Sequence, residues 1–180
     1  MQPEAPSGLV WEPELIDEAE ERRLLAGFGE LDFRPVVIRG QTSKRTAAHF
    51  GLRYGYENRK LTPGDPLPPL LQPLRERAAA LADLEPEALV QALVQRYPVG
   101  ATIGWHRDSL PFDRIVGLSL RGTGRLRFRR GSVRDWETWS VEAPPRSAYV
   151  LAGEARSEWE HSIPAAKELR YSVTFRNLRE

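Results

Sequence analysis

The sequence predicts a mainly β protein with its helices gathered ahead of the sheets. Three observations carry this. Two amphipathic stretches fall in the first ninety residues. Eight short alternating segments follow between residues 92 and 177. A Gly or Pro stands in every join between those segments. Short strands spaced in this way suggest a sandwich or a jelly roll. The 180 residues suit one domain, 1–180, with a helical and lid-bearing region at 1–89 and a double-sheet core at 90–180.

Residues 1–8 read as a loose tail with no basic stretch leading into an apolar run, so the expectation is a chain without a signal peptide, working in the cytoplasm. Residues 13–26 read as a helix with Leu15, Leu24 and Leu25 on its apolar face. A short strand at 34–40 is closed by Gly40. Residues 42–49 are polar and basic, and 50–56, with Gly51, Tyr54, Gly55 and Tyr56, read as a hairpin or lid. The four prolines of 62–69 demand a loop. At 70–84 the stripe Leu70, Leu71, Leu74, Ala78 and Leu81 predicts a second helix. Strands are expected at 92–97, 103–108, 115–120, 124–129, 136–141, 148–151, 159–162 and 169–177.

Composition excludes several chemistries. Without cysteine there is no disulfide, thiolate zinc site or cysteine nucleophile. No run approaches eighteen apolar residues, so no membrane helix and no membrane partner are expected. A net charge of +1 is modest for a chain that lives on phosphates, and leaves room only for a local basic patch.

His106 and Asp108 lie one residue apart, so a strand would present both on one face while Arg107 points away. With His161 from a distant strand they make half an octahedral shell, two imidazoles and a carboxylate, with three positions open. Of the three histidines, His49 sits in the polar lid segment and reads as a surface residue. The strand at 169–177 alternates cleanly: Arg170, Ser172, Thr174 and Arg176 on one face, Tyr171, Val173 and Phe175 on the other. If the polar face is interior, a buried arginine there requires an anion, and a guanidinium matches a carboxylate bidentately.

Four pieces, in order, resemble the AlkB-like Fe(II)/2-oxoglutarate dioxygenases. They are Tyr97; His106-x-Asp108; Gly153-Glu154-Ala155-Arg156-x-x-Trp159-x-His161-Ser162-Ile163-Pro164; and Arg170-Tyr171-Ser172-Val173-Thr174-Phe175-Arg176. The resemblance covers residues 91 to 177. It implies a double-stranded β-helix (jelly-roll) core, with Fe(II) held by His106, Asp108 and His161. It places the distal carboxylate of 2-oxoglutarate on Arg170, with Arg176 near the co-substrate and the reacting centre. Tyr97 becomes a hydroxyl donor to 2-oxoglutarate, and Gln95 stands where the family often has Asn. Molecular oxygen is the co-substrate. The implied reaction is oxidative demethylation of alkylated bases in DNA or RNA, by a monomer. Tyr54, Tyr56 and Arg156 are the expected substrate residues, the tyrosines by stacking on a flipped base.

One departure bears on the substrate. Leu110 occupies the position where nucleic-acid demethylases of the family often carry an acid that reads the base, and leucine accepts no hydrogen bond. The same oxygenase chemistry on a protein or small molecule, or a metal-dependent cupin-like enzyme without 2-oxoglutarate, remain alternatives. Arg125, Arg127 and Arg129, with Arg121, Arg130 and Arg134, form an acid-free run that could meet phosphates or be a solvated face. Trp105, Trp136, Trp139 and Trp159 read as packing residues.

Overall fold

Alternate residues of the last strand, Arg170–Leu178, belong to two different interiors, and that division sets the layering. Val173 and Phe175 join a core shared with two helices, whereas Arg170, Ser172 and Thr174 are buried on the opposite face. The structure is a computed structural model that describes residues 3–180. Met1 and Gln2, at the head of the expected loose tail, lie outside the described residues.

In chain order the elements are β1 (Leu9–Glu12), α1 (Glu18–Gly27), β2 (Arg34–Ile38), β3 (Gln41–Tyr54), β4 (Leu61–Pro63), α2 (Gln72–Leu81), β5 (Leu89–Tyr97), β6 (Ile103–His106), β7 (Phe112–Leu120), β8 (Gly124–Ser132), β9 (Asp135–Ala143), β10 (Ala148–Leu151), α3 (Gly153–Ser157), β11 (Glu160–Ile163) and β12 (Arg170–Leu178). A large sheet runs β1-β10-β7-β12-β5-β3-β2, with β4 paired to β3, and a small sheet runs β6-β11-β8-β9. Every pairing is antiparallel. This is the mainly β, jelly-roll architecture expected.

Two cores result. Leu24, Leu74 and Ala78 of the helices pack on Val94, Leu118 and Phe175 of the large sheet. Between the sheets lie Tyr97, Ile115, Leu126, Phe128 and Trp159. Each fully buried aliphatic or phenylalanine side chain is worth roughly 1.5–3 kcal/mol. Among the described residues no helix is long and apolar enough to cross a membrane.

The first half of the chain departs most from expectation. Helix α1 starts at Glu18 rather than residue 13, because Asp17 and Glu20 close a reciprocal capping box: Glu20 N–H donates to Asp17 Oδ1 (2.8 Å) and Asp17 N–H to Glu20 Oε2 (3.2 Å). Helix α2 ends at Leu81, short of residue 84, and Asp83 follows with φ +55°. The polar stretch 42–49 and half of the expected hairpin form one continuous strand, β3. It is paired on both sides, and Arg45 and Ala47 on one of its faces are buried. Gly51 (φ +77°) marks its bend. Its N–H donates to Asp65 O (2.7 Å) and its carbonyl accepts from Gly64 N–H (2.9 Å), which ties the proline-rich loop down. Within that loop, β4 pairs with Leu52–Tyr54. The residues before β1 are tied as well: the Ser7 carbonyl accepts from Ala155 N–H (2.8 Å) of α3, a helix the sequence did not announce. Residues 1–89 thus contribute four strands as well as helices.

Candidate metal centre and adjoining cavity

Strands β6 and β11 are neighbours, and their register sets His161 opposite His106. Asp108 was expected on the same strand as His106, but β6 ends at His106 and Asp108 lies in the loop that follows. The three still converge. Asp108 Oδ1 is 3.4 Å from His106 Nε2 and 3.5 Å from His161 Nε2, and the three ligand atoms lie within 4.8 Å of one another. His106 Nδ1 sits 2.8 Å from the Gly104 carbonyl. That contact needs Nδ1 to donate, which leaves the Nε2 lone pair facing the common point. Arg107 points away and donates to the Glu158 carbonyl (2.9 Å).

Burial alone would raise the Asp108 carboxyl, but Arg176, whose Nε donates to Oδ2 at 2.9 Å, and then His106 and His161 hold it well below its ordinary value. Burial pushes the His161 imidazole down to about 4, against the opposing pull of Asp108. An anionic carboxylate and a neutral imidazole with a free nitrogen are the donors that a borderline divalent ion such as Fe(II) takes. The residues therefore fit the metal.

This has a measurable consequence for the metal-free protein. Unfolded, His161 takes up a proton near the ordinary imidazole value of 6.5; folded, only near about 4. In that window the unfolded state binds more protons, so acidification destabilises the fold, by about 3 kcal/mol at most for this one group. The Asp108 contribution is lost only below its unfolded value of 3.8, outside the window. The urea midpoint of chelator-treated protein should fall between pH 7 and 4.5, and a flat profile would contradict the assignment.

Next to this centre, β12 pairs with β5 so that Arg170 faces Tyr97 and Ser172 faces Gln95. All four side chains are buried, Arg170 to 3% exposure. Arg170 Nε donates to Ser119 Oγ (2.9 Å), its guanidinium carbon stands 5.0 Å from the Tyr97 ring centroid, and its Nη1 has no partner. Ser172 Oγ is also unpartnered. A buried cation lacking an anion is costly, so this pocket fits a carboxylate supplied from outside. Gly124 makes room for it: a Cβ there would lie 2.6 Å from Arg170 Nε. We expect Gly124→Ala to weaken 2-oxoglutarate binding about tenfold, or 1.4 kcal/mol, with metal affinity unchanged, as read by anaerobic titration calorimetry.

Arg176 is engaged with the metal centre itself. Besides Asp108, its Nη1 donates to Gln91 Oε1 (3.0 Å) and Thr174 Oγ1 (3.2 Å), while Gln91 Nε2 donates to the Leu52 carbonyl (2.7 Å). Gln91 and Ser119, which steady the two arginines, gave no signal in the sequence beyond lying on strands. Sequence reasoning also missed Tyr149, whose ring covers Gly117 and whose hydroxyl is raised by burial in the same cavity.

The expected substrate residues separate. Tyr54 is half-buried and Tyr56 80% exposed, with their rings edge-to-face at 5.3 Å. Tyr56 Oη meets Ser109 Oγ at 3.0 Å, which bridges the lid to the loop carrying Asp108. Arg156 is corrected: it is 4% exposed and its Nη2 donates to the carbonyls of Ser109 (2.9 Å) and Phe112 (2.7 Å), so it braces that loop instead of facing a substrate. His49 is corrected too. It is half-buried with Nδ1 unpartnered, and burial, then Arg53 and Arg176, lower it to about 4. Part of the arginine run meets acids from neighbouring segments: Arg129 pairs with Glu160, and Arg130 with Glu137, Glu154 and Glu158. Arg129 also stacks between Trp105 and Trp136. Arg127 donates to Ser162 Oγ (3.0 Å), while Arg121, Arg125 and Arg134 are exposed.

A facial set of two histidines and a carboxylate, beside a pocket ending on an unpaired arginine and set between the sheets of a jelly roll, defines a class. The chain belongs to the 2OG-Fe(II) oxygenase superfamily, whose family model matches residues 20–176. Within it the similarity is to AlkB-like members. The chain is 32% identical to the alkylated DNA repair protein ALKBH8 homolog of Arabidopsis thaliana, over 89% of this chain and 51% of that protein. It is 29% identical to the tRNA (carboxymethyluridine(34)-5-O)-methyltransferase ALKBH8 of Mus musculus, over 90% of this chain and 25% of that one. It thus spans about half the length of the first relative and a quarter of the second. The solved structure of OsALKBH1 superposes with a TM-score of 0.72 at 17% identity, covering 98% of this chain and 99% of the other, and shows the shared fold.

Proposed function

We propose that this chain is an Fe(II)/2-oxoglutarate-dependent dioxygenase that oxidises a modified or alkylated base in DNA or RNA, working as a cytoplasmic monomer. The observation that carries the proposal is the pairing of the His106, Asp108 and His161 cluster with the buried Arg170, which has no counter-ion and whose Nη1 has no partner. A metal enzyme without 2-oxoglutarate would have no use for that arginine. The nucleic-acid substrate is drawn from the names of the two relatives, one a DNA repair protein and the other a tRNA methyltransferase.

Bound Fe(II) and 2-oxoglutarate together supply oxidation of a C–H bond by O2, with release of succinate and CO2. The protein's part is to bind, orient and exclude water. His106, Asp108 and His161 supply three ligand atoms from one side. Arg170 takes the distal carboxylate of the co-substrate, and Tyr97 and Gln95 offer further hydrogen bonds from the facing strand. Arg176 neutralises Asp108 through its second oxygen and fixes its rotamer, so it acts as a positioning residue. Tyr54 and Tyr56 form the lip against which a flipped base would rest. Leu110, 77% exposed at that mouth, favours a base that is not read through an amine.

The test is direct. Anaerobic protein with Fe(II) and 2-oxoglutarate should develop the weak visible band of the chelate, and should form succinate in air. Methylated single-stranded DNA, RNA and histone-like peptides then compete as stimulants of turnover. Absence of both band and succinate would refute the oxygenase reading, and stimulation by peptides alone would refute the nucleic-acid one.

A further inference from the structure

Strand β3 carries chemistry that neither the metal centre nor the Arg170 pocket uses. Ala48 and Phe50 pack into the helix-side core, so Arg45, Ala47 and His49 lie on the cavity face. In register with β5, Ala47 stands opposite Gln95 and His49 opposite Leu93, and Thr46 opposite Arg96 sets Arg45 beside Tyr97. Arg45 is only 7% exposed, and its Nε and Nη1 have no partner. The acidic groups acting on it are the phenols of Tyr97 and Tyr56, which carry no charge at neutral pH. His49 Nδ1 is unpartnered as well. Ala47, between the two, contributes only a methyl group.

An unpaired buried guanidinium costs stability that an apolar residue at the same place would not. Such a group is explained if the working complex brings its counter-ion. Strand β5 separates β3 from β12, so the strands bearing Arg45 and Arg170 stand about 10 Å apart. The two arginines approach the cavity from opposite sides of Tyr97. Arg170 has Ser119 as a fixed partner, whereas Arg45 faces the lid residue Tyr56.

We propose that Arg45 forms a second oxyanion-recognising subsite beside Tyr97, which takes a carboxylate or phosphate of the substrate while Arg170 takes the carboxylate of 2-oxoglutarate. This rests on the functional reading above and names the chemistry of its substrate: a base or nucleotide that brings its own anionic oxygen to the centre.

The experiment uses the whole chain with Mn(II) and 2-oxoglutarate, without oxygen. Affinities for uridine, uridine 5′-monophosphate and 5-carboxymethyluridine are read by tryptophan fluorescence. At least one anionic probe should bind tenfold or more tighter than uridine. Preference for the monophosphate assigns the subsite to phosphate; preference for the carboxymethyl compound assigns it to a carboxylate on the base. In Arg45→Met that preference should vanish, while the Kd for 2-oxoglutarate moves less than twofold. The melting temperature of the variant should rise, since an uncompensated charge is replaced by an apolar side chain.

Equal binding of all three probes would overturn the proposal. So would a loss of 2-oxoglutarate affinity in Arg45→Met as large as that in Arg170→Ala, which would make Arg45 a co-substrate residue. A lower melting temperature or failure to fold would make it a structural one. Failure of the wild-type chain to bind 2-oxoglutarate at all would instead count against the oxygenase reading.

Discussion

Asp108→Ala should lose metal binding and fold stability together, and no other single substitution in the chain should do both as strongly. One oxygen of Asp108 faces the two imidazoles, while the other accepts from Arg176 Nε at 2.9 Å. Side-chain exposure is 6% for Asp108 and 13% for Arg176, so removing the carboxylate leaves a guanidinium uncompensated in a largely dry site. Breaking such a pair costs about 3–5 kcal/mol, even where the intact pair contributes little net stability. Succinate formation should fall to background, and the urea midpoint of the metal-free protein should drop sharply. The double variant Asp108→Ala/Arg176→Met separates the two effects. It removes both charges, so most of the stability should return while metal binding stays lost. If the single variant keeps wild-type stability, the ion pair does not hold the site as argued.

Arg170→Ala should act on the co-substrate alone. It deletes a charge-assisted contact worth roughly 1.5–3 kcal/mol, which corresponds to a 2-oxoglutarate affinity lower by about tenfold to a hundredfold. The metal ligands lie on β6, on β11 and in the loop after β6, so Mn(II) affinity should not change. Lysine should rescue poorly, because it is a point charge and cannot reproduce the planar fork whose Nε is already engaged with Ser119 Oγ. Unchanged co-substrate affinity would mean that the pocket serves some other anion.

The metal centre was legible because its signal is chemical and local. Few histidines exist in the chain, and two lie beside an acid or on an alternating strand. The arginine strand was legible because period-two alternation records which face is buried. Arg45 and His49 were not, for a physical reason. A strand that lines a polar cavity shows the same polar alternation as one that faces water, and only its pairing with β5 distinguishes them. Arg156 misled because its motif position carries no information on what its guanidinium meets, which is two backbone carbonyls. Arg129 and Arg130 likewise looked free of acids because only the fold brings Glu160 of β11, Glu137 of β9, and Glu154 and Glu158 of α3 and its C-terminal end beside them.

The continuity of β3 limits how this protein can be recombined with its kin. Its middle, Thr46–Gly51, is laddered to β5, and its last residues carry the hairpin at the cavity mouth. The rim cannot therefore be exchanged as a detachable cassette. A chimera spliced inside β3 would shift the pairing by a residue or break it, and a one-residue slip would turn Arg45 and His49 outward. A viable transplant must carry the strand whole, so specificity at the mouth and register in the sheet are inherited together.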